Sequence, residues 1–566
     1  MIKKILPPLF CSLIIVILVY LLISNGMKFT AEYPMAEMDD GWVITLNGGV
    51  HKDTPLTRFS EILDGTTLER GDSIVMTTTL PDLGDIPFPV IMFKSRYTTL
   101  TVYVDDQYYF DFGSDMYAEH KFLGKSYHFI TLPHDYAGRE IKLDMRVSEK
   151  DAFRDLNPPI IGSQPDVEGD FIYKHLPIIA TGMFLMVFGL SFLCITMFFV
   201  SAVPDIRSFL LGSVFCINLA IWIMSYYSIL SPFIHSKNET QLEFFTMYLI
   251  VPYCYLFLYL VQKIENKKLY LTAALLTTGI TIAQYTLHYI FGIHMKVTLP
   301  MYHIAGAFGF GVITYYLIRN IRKRDLSDSG MIQMLGVFVF GLAQFIHLGI
   351  YYLAKKQYVP NANSWSIMIL DVGCLFFVLC QLANYLVFIT GAYAQRQEYA
   401  SLTHLAYADG LTNLPNRARA DKILKDLETT TLDYCIISID LNGLKTVNDK
   451  FGHPSGDKYI KDFAKVLTTT FDKTGFCARI GGDEFLVILE DSNEKDVDAL
   501  LGRMNSALNV MNALYSEYHR SVATGYAFRH ECPENATSHE VYLLADQRMY
   551  ELKRKMHEEL GIHNRL

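Results

Sequence analysis

Eight long apolar stretches constrain this chain more than any other feature. One runs from about Ile5 to Ser24, and seven more lie at about His175–Val200, Ser208–Leu230, Glu243–Val261, Leu269–Phe291, Val297–Ile318, Met331–Leu353 and Trp365–Ala392. Each reaches the length of a bilayer-crossing helix, about 20 residues. Backbone in hydrocarbon must satisfy its own hydrogen bonds, so all eight are expected to be helices in a lipid bilayer. Composition agrees, because 566 residues at 51% apolar are too many for one domain and too apolar for a wholly soluble protein. The net charge of −9, with no basic cluster interleaved with aromatics, argues against nucleic acid as a partner.

Charge sets the expected orientation. Lys3 and Lys4 place the start of the first stretch in the cytoplasm and Met27 onward outside. A cleaved signal peptide is the rival reading. The run is longer than a usual signal core and no small-x-small cleavage site follows it, which favours a retained anchor. With the first of the other seven running inward, Arg207, Lys263, Lys267, Lys268, Arg319, Arg322, Lys323 and Arg324 fall on the cytoplasmic side. The outer connections hold only Lys237, Lys296 and the Lys355-Lys356 pair, and eight spans return the C-terminus to the cytoplasm. Asp371, His303 and His347 lie inside spans. An intramembrane ionisable group is either a functional site or a buried, paired or protonated one, and both readings stand.

From Met27 to about Tyr173 the chain is polar and strand-like. Leu100, Val102 and Val104 alternate with polar residues, as do Ile141, Leu143, Met145 and Val147, so each run has one apolar and one wet face. Asp105-Asp106 and Gly138 punctuate turns. The expected fold is an antiparallel all-β sandwich, jelly-roll-like, on the extracellular side. Trp42, Tyr108 and Tyr109 could stack on a ligand, but core packing is the reading preferred for them. The ligand such a domain would sense is not legible. No cysteine lies in this region, and none of the nine forms a CxxC pair, which argues against a zinc or redox site.

The C-terminal quarter carries the chemistry. Arg479-Ile-Gly-Gly-Asp-Glu-Phe485 sits between two short apolar runs that read as strands. Gly481 and Gly482 can take the positive φ angles of a tight hairpin and leave no side chains to keep a ligand from the backbone. Asp483 and Glu484 then project beside that opening. Upstream, the buried-strand pattern Tyr434–Ile439 ends on Asp440, and ligand sites in open sheets gather beyond such ends. If the two strands are neighbours, Asp440 and Asp483 approach each other. Two hard carboxylates facing a phosphate-sized gap suit Mg²⁺. Lys445 could meet phosphate charge, and Asn448 and Asp457 could read a base edge.

Asp409-Gly-Leu-Thr-Asn-Leu-Pro-Asn-Arg417, Asp440–Asp449, Phe451-Gly-His-Pro-Ser-Gly-Asp457 and Gly481-Gly-Asp-Glu-Phe485 resemble, in order, the motifs of the GGDEF-domain diguanylate cyclases. The resemblance covers Tyr407 to about His557. It implies a cytoplasmic α+β, ferredoxin-like domain that joins two GTP into cyclic di-GMP with release of two pyrophosphates. It also implies two Mg²⁺ per site, with Mn²⁺ able to substitute, held by Asp440, Asp483 and the Leu441 carbonyl. Asn448 and Asp457 would recognise guanine, Lys445 and Lys553 would meet the triphosphate, Gly481 and Gly482 would line the substrate, and Glu484 would complete the site. Asp483 would also be a candidate proton acceptor. One such domain holds one GTP, so a homodimer is implied.

Three departures from the family pattern stand out. Asp472-Lys-Thr-Gly475 occupies the place of an Arg-x-x-Asp feedback motif, so product inhibition there is not expected. Gly443-Leu444 before the lysine is an ordinary variant. Lys553 is followed by Arg554-Lys-Met-His557 where the family often has Gly-Arg-Asn, which puts a phosphate-binding arginine in doubt. Cyclisation of ATP is disfavoured because Asp457 suits guanine donors. A receptor whose domain binds GTP without turnover, acting through protein interaction, is the alternative. No EAL-type phosphodiesterase domain is expected beyond it.

The extracellular sandwich, seven spans and signalling domain together are similar to the seven-transmembrane receptors with diverse intracellular signalling modules. The expected divisions are an anchor at 1–26, a sensor at 27–173, a bundle at 174–392, a signalling helix at 393–407 and the GGDEF domain at 408–566. Leu402, Leu405 and Ala406 recur at helical spacing in the signalling segment, which leaves a dimeric coiled coil and a plain connecting helix both open.

Overall fold

A computed structural model describes residues 2–26, 28–199, 206–233, 238–260, 267–323, 328–355, 362–430, 432–471, 474–491, 496–515 and 517–559. Lys237, Lys263, Arg324, Lys356, Asp472 and the end beyond 559 lie outside the described residues. The chain divides into two compact units, Met1–Thr390 and Gly391–Leu566.

In the first unit, alternation of apolar and polar residues builds two antiparallel sheets. The larger runs in the order Gly49–Lys52, Val43–Leu46, Ser73–Thr79, Glu140–Arg146, Leu100–Val104, Gln107–Phe112. The smaller runs Ala36–Glu37, Ile160–Ser163, Pro89–Arg96, Lys125–Thr131. Ile74, Met76, Leu143 and Val102 of the first share one core with Ile91, Phe93, Ile130 and Ile161 of the second, as in a two-sheet sandwich. Asp105 and Asp106 both have positive φ and close a two-residue hairpin, with Val104 paired to Gln107. Trp42 is 1% exposed and donates its indole N–H to the Met38 carbonyl, so it is a core residue. Tyr108 and Tyr109 are not: they are 63% and 36% exposed, because their strand is the edge of the larger sheet and turns them outward.

Seven helices follow: Gln164–Phe199, Arg207–Tyr226, Glu239–Leu260, Lys267–Tyr289, Met295–Lys323, Asp328–Lys355 and Ala362–Tyr407. Among the described residues six of them are long and apolar enough to cross a membrane. Lys267–Tyr289 is the exception to the expectation, because its lysines, repeated threonines, Gln284 and His288 dilute the apolar run. The N-terminal helix is Ile2–Gly26, with a described apolar stretch at Phe10–Ile23. The last helix continues without a break through 393–407, with Leu405 74% exposed.

The smaller sheet docks on the helix ends through its edge strand. Lys125 N–H donates to Thr240 Oγ1 at 2.7 Å and Tyr127 N–H to Ser231 Oγ at 3.2 Å, so helix-side hydroxyls satisfy donors that an edge strand leaves open. The Lys125 ammonium pairs with Glu243 at 2.8 Å. Asp371 is fully buried, and its carboxyl faces the Tyr20 hydroxyl of the N-terminal helix. His303 meets the Tyr352 hydroxyl at 2.9 Å, and His347 the Ser366 hydroxyl at 2.5 Å.

The second unit is an α+β domain whose antiparallel sheet runs Phe476–Arg479, Glu484–Glu490, Tyr434–Leu441, Val522–Phe528. Numbered along the chain, that order is 2-3-1-4, the ferredoxin-like arrangement. Helices Arg417–Leu427, Leu444–Phe451, His453–Phe471, Val497–Leu514 and Ser538–Glu559 complete it. Sequence reading carries the fourth of these helices from Asp496 to Tyr518, but the chain leaves it at Leu514. The segment after it turns Arg520 inward, to an ion pair with Asp462 at 3.1 Å and to the carbonyls of Tyr515 and Tyr518.

Candidate active site

The strand Tyr434–Leu441 is buried along its whole length and lies between two partners, as its apolar, β-branched run requires. It pairs with Glu484–Glu490 in a register that sets Asp440 opposite Glu484, and residues directly opposite share a face. Beyond the last pair, Leu441 N–H donates to the Asp483 carbonyl at 3.0 Å. The two acidic stretches, far apart in sequence, thus meet at one end of adjacent strands. Asp440 is buried, and its carboxylate holds the Lys553 ammonium at 2.6 Å.

Lys553 reaches this point from the C-terminal helix, which packs Val541, Ala545 and Met549 on the sheet. Gly525 permits the close approach, since a Cβ there would collide with the helix backbone at Ala545, Arg548 and Met549. The same helix brings in Asp546, a residue the motif reading missed, whose carboxylate accepts from Ser438 Oγ at 2.9 Å. Its signal is helical spacing, for Asp546 lies seven residues before Lys553.

Four carboxylates therefore crowd one region beside one ammonium. Burial raises the Asp440 carboxyl above its ordinary range; Lys553 opposes this, while Asp483 and Asp546 add to it. Burial also raises Glu484, followed by the charges of Asp483, Asp440 and Asp546, with the Arg417 guanidinium opposing them. Among the described residues no group of three or more His, Cys, Asp or Glu is arranged to hold a metal by itself. An ion that takes two carboxylates and a backbone carbonyl, and finds its remaining ligands in phosphate and water, does not need such a group. The donor set is all hard oxygen, and its mutual repulsion is the kind a divalent cation relieves.

The hairpin differs from its expected form in one respect. Neither Gly481 nor Gly482 has positive φ. The turn closes instead with Ile480 N–H donating to the Glu484 carbonyl at 3.0 Å. A Cβ at Gly481 would meet only the movable end of the exposed Glu484 side chain, and Gly482 faces open surroundings. Arg479 holds the loop from behind: Nη1 meets both oxygens of Asp409 at 2.9 and 3.1 Å, and Nη2 donates to the Gly482 carbonyl at 2.8 Å. Asp409 also accepts from the Thr412 N–H and hydroxyl. These contacts explain why an Asp-x-x-Thr turn and the hairpin belong to one construction.

Asn448 lies on the helix Leu444–Phe451, which starts after Gly443 in a left-handed conformation. Its amide rests against Gly456, where a Cβ would overlap it, and Asp457 is the next residue. Asn448 and Asp457 are thus brought together. Lys445 is exposed near the start of the same helix, and Tyr459 anchors the following helix through the carbonyls of Asn442 and Ser521 at 3.1 and 2.7 Å.

Residues 406–559 match the sequence model of the family "Diguanylate cyclase, GGDEF domain". The chain is similar to the diguanylate cyclase DgcS of Shewanella oneidensis, 31% identical over 160 residues, covering 28% of this chain and 52% of that one. It is also similar to the signaling protein YkoW of Bacillus subtilis, 40% identical over 93 residues, covering 16% and 12%. The chain therefore spans about half of one of these relatives and about an eighth of the other. Among solved structures, the coiled coil and GGDEF domain of DgcB from Caulobacter crescentus in complex with c-di-GMP is 24% identical, with 31% of this chain and 94% of that chain covered and a TM-score of 0.27. Residues 406–559 are a GGDEF domain with diguanylate cyclases among its homologues.

Proposed function

We propose that the protein is a membrane-bound sensor diguanylate cyclase that condenses two GTP into 3′,5′-cyclic di-GMP and two pyrophosphates under an extracellular signal. The observation that carries the proposal is the meeting of Asp440, Asp483 and Glu484 at the ends of two neighbouring strands. In this reading residues 1–26 anchor the chain, 27–173 form the external sensor, 174–392 the bundle, 393–407 the signalling helix and 408–566 the cytoplasmic catalytic domain. Asp440, Asp483 and the Leu441 carbonyl would hold two Mg²⁺, which when bound neutralise phosphoryl charge and ease loss of the 3′-hydroxyl proton.

The chain's own groups do the rest. Asn448 and Asp457 orient guanine through its edge donors and acceptors, and Lys445 and Lys553 meet the triphosphate. Lys553, now on Asp440, would exchange that carboxylate for phosphate oxygens as substrate arrives. Each 3′-hydroxyl attacks the other nucleotide's α-phosphate, so two domains must face one another. Control by the membrane unit then reduces to proximity, with the exposed signalling helix as the element through which a homodimer is set.

The test is direct: the full chain in lipid nanodiscs, given GTP and Mg²⁺, should yield cyclic di-GMP and pyrophosphate in a ratio of one to two by mass spectrometry. Pyrophosphate without cyclic product, or no turnover in any dimeric arrangement, would remove the enzyme reading. One observation favours the alternative of a domain that holds GTP without turnover. Lys553 already neutralises the carboxylate that a metal would need.

A further inference from the structure

Within the first unit, a cavity of about 480 Å³ lies between the smaller β-sheet and the helices beneath it. That volume falls in the range of small-molecule sites. Its two ends differ in chemistry. The sheet side presents Lys94, Arg96 and Lys125, and the helix side presents apolar residues that include Val251, Phe310 and Phe340.

The cationic end is not balanced. Lys94, Arg96, Lys125 and Lys296 face Glu243 and Asp151 as the only carboxylates in the wall among the described residues. Glu243 is already taken by Lys125, and Lys296 is held by the carbonyls of Lys150 and Asp151 at 2.9 and 2.8 Å. Lys94 instead lies 4.4 Å above the ring of Tyr127, and Arg96 donates to the neutral Asn157 side chain at 2.5 Å. Among the described residues neither forms an ion pair, and Glu243 and Glu239 for Lys94 and Asp155 for Arg96 act on them without one. Burial, then the neighbouring charges of Arg96 and Lys125, pull the Lys94 ammonium well below its ordinary range. Both cations are half-buried in the cavity wall, and an anion placed between them would supply the counter-charge that the wall lacks.

We propose that this cavity binds an amphipathic organic acid, its carboxylate between Lys94 and Arg96 and its apolar body among Val251, Phe310 and Phe340. The guanidinium fork of Arg96 suits a planar carboxylate. Trp222, His303 and His347 also line the wall, so such a ligand would touch strands and helices at once and favour whichever helix packing fits it. Binding itself stands whether or not the C-terminal domain turns GTP over.

The probe is 8-bromooctanoate, with 8-bromooctan-1-ol as its uncharged counterpart, added to the full chain in phosphatidylcholine nanodiscs. Bromine quenches tryptophan on contact, and Trp222 is in the wall. Saturable quenching by the acid is expected, at least tenfold stronger than by the alcohol and lost in Trp222→Phe. Lys94→Met with Arg96→Gln should weaken it at least tenfold. The acid-to-alcohol comparison needs no variant, so a folding failure does not blunt the test. Equal, non-saturating quenching by acid and alcohol would overturn the proposal, as would binding unchanged in the double variant. Loss of acid quenching when phosphatidylglycerol replaces phosphatidylcholine would also overturn it, by assigning the cations to a lipid headgroup.

Discussion

The two halves of the molecule concentrate charge in opposite senses. At the GGDEF strand ends four carboxylates crowd one ammonium, whereas under the small β-sheet of the first unit four cations face two carboxylates. Each arrangement is electrostatically unfinished by protein groups alone. An acidic site in which Lys553 and Arg417 oppose four carboxylates suits a divalent cation and the phosphates it carries, and a cationic cavity with an apolar floor suits an organic anion. In both places the residual charge, more than the fold, points to the ligand class.

Breaking the acidic side should have the largest effect. Asp483→Asn is expected to lower cyclic di-GMP formation on the order of a thousandfold, the scale of losing one preorganised electrostatic contact to the reacting group, read by mass spectrometry of the product. Next comes a contrast between a paired and an unpaired cation. Arg520 is paired with Asp462, so Arg520→Met strands a carboxylate and should destabilise the second unit by about 3 kcal/mol in denaturant unfolding. Lys94 has no such partner, so Lys94→Met should change the stability of the first unit by less than about 1 kcal/mol, in the stabilising direction.

Smaller effects sharpen the comparison within the site. Gly456→Ala should displace the Asn448 amide and raise KM for GTP about tenfold, or ~1.4 kcal/mol, with kcat less affected. Glu484→Gln probes the crowding itself. Because the folded state raises the Glu484 carboxyl, its charge is a penalty present in full at neutral pH and relieved as pH falls through the folded pKa. The variant should therefore be more stable at pH 7.5, by a few tenths of a kcal/mol after solvent screening, and the gain should fade once the pH drops below the carboxyl's ordinary range. Thermal melts across pH give the sign.

Legibility followed the same divide. The strand that carries Asp440 and the one that follows Asp483 are readable, because a buried strand leaves a continuous apolar run and its acids sit next to it in sequence. Asp546 was harder, being tied to the site only through the helix that also carries Lys553. Gly481 and Gly482 were expected to take positive φ and neither does, since a bare Gly-Gly does not say which backbone conformation its turn will use. The cationic cavity was illegible. Lys94, Lys125 and Lys296 come from separate segments, and only the docking of the sheet on the helix ends brings them together. Tyr108 and Tyr109 needed the strand order to show that their strand is an edge.

The convergence of Asp440 and Asp483 on a divalent ion is open to a single measurement. Mn²⁺ is titrated into the full chain with α,β-methylene-GTP, and free metal is followed by electron paramagnetic resonance. Wild type should take up Mn²⁺ together with the nucleotide, and Asp440→Asn combined with Asp483→Asn should abolish that uptake while the protein stays folded. Undiminished Mn²⁺ uptake by the double variant would contradict a site built on these two acids.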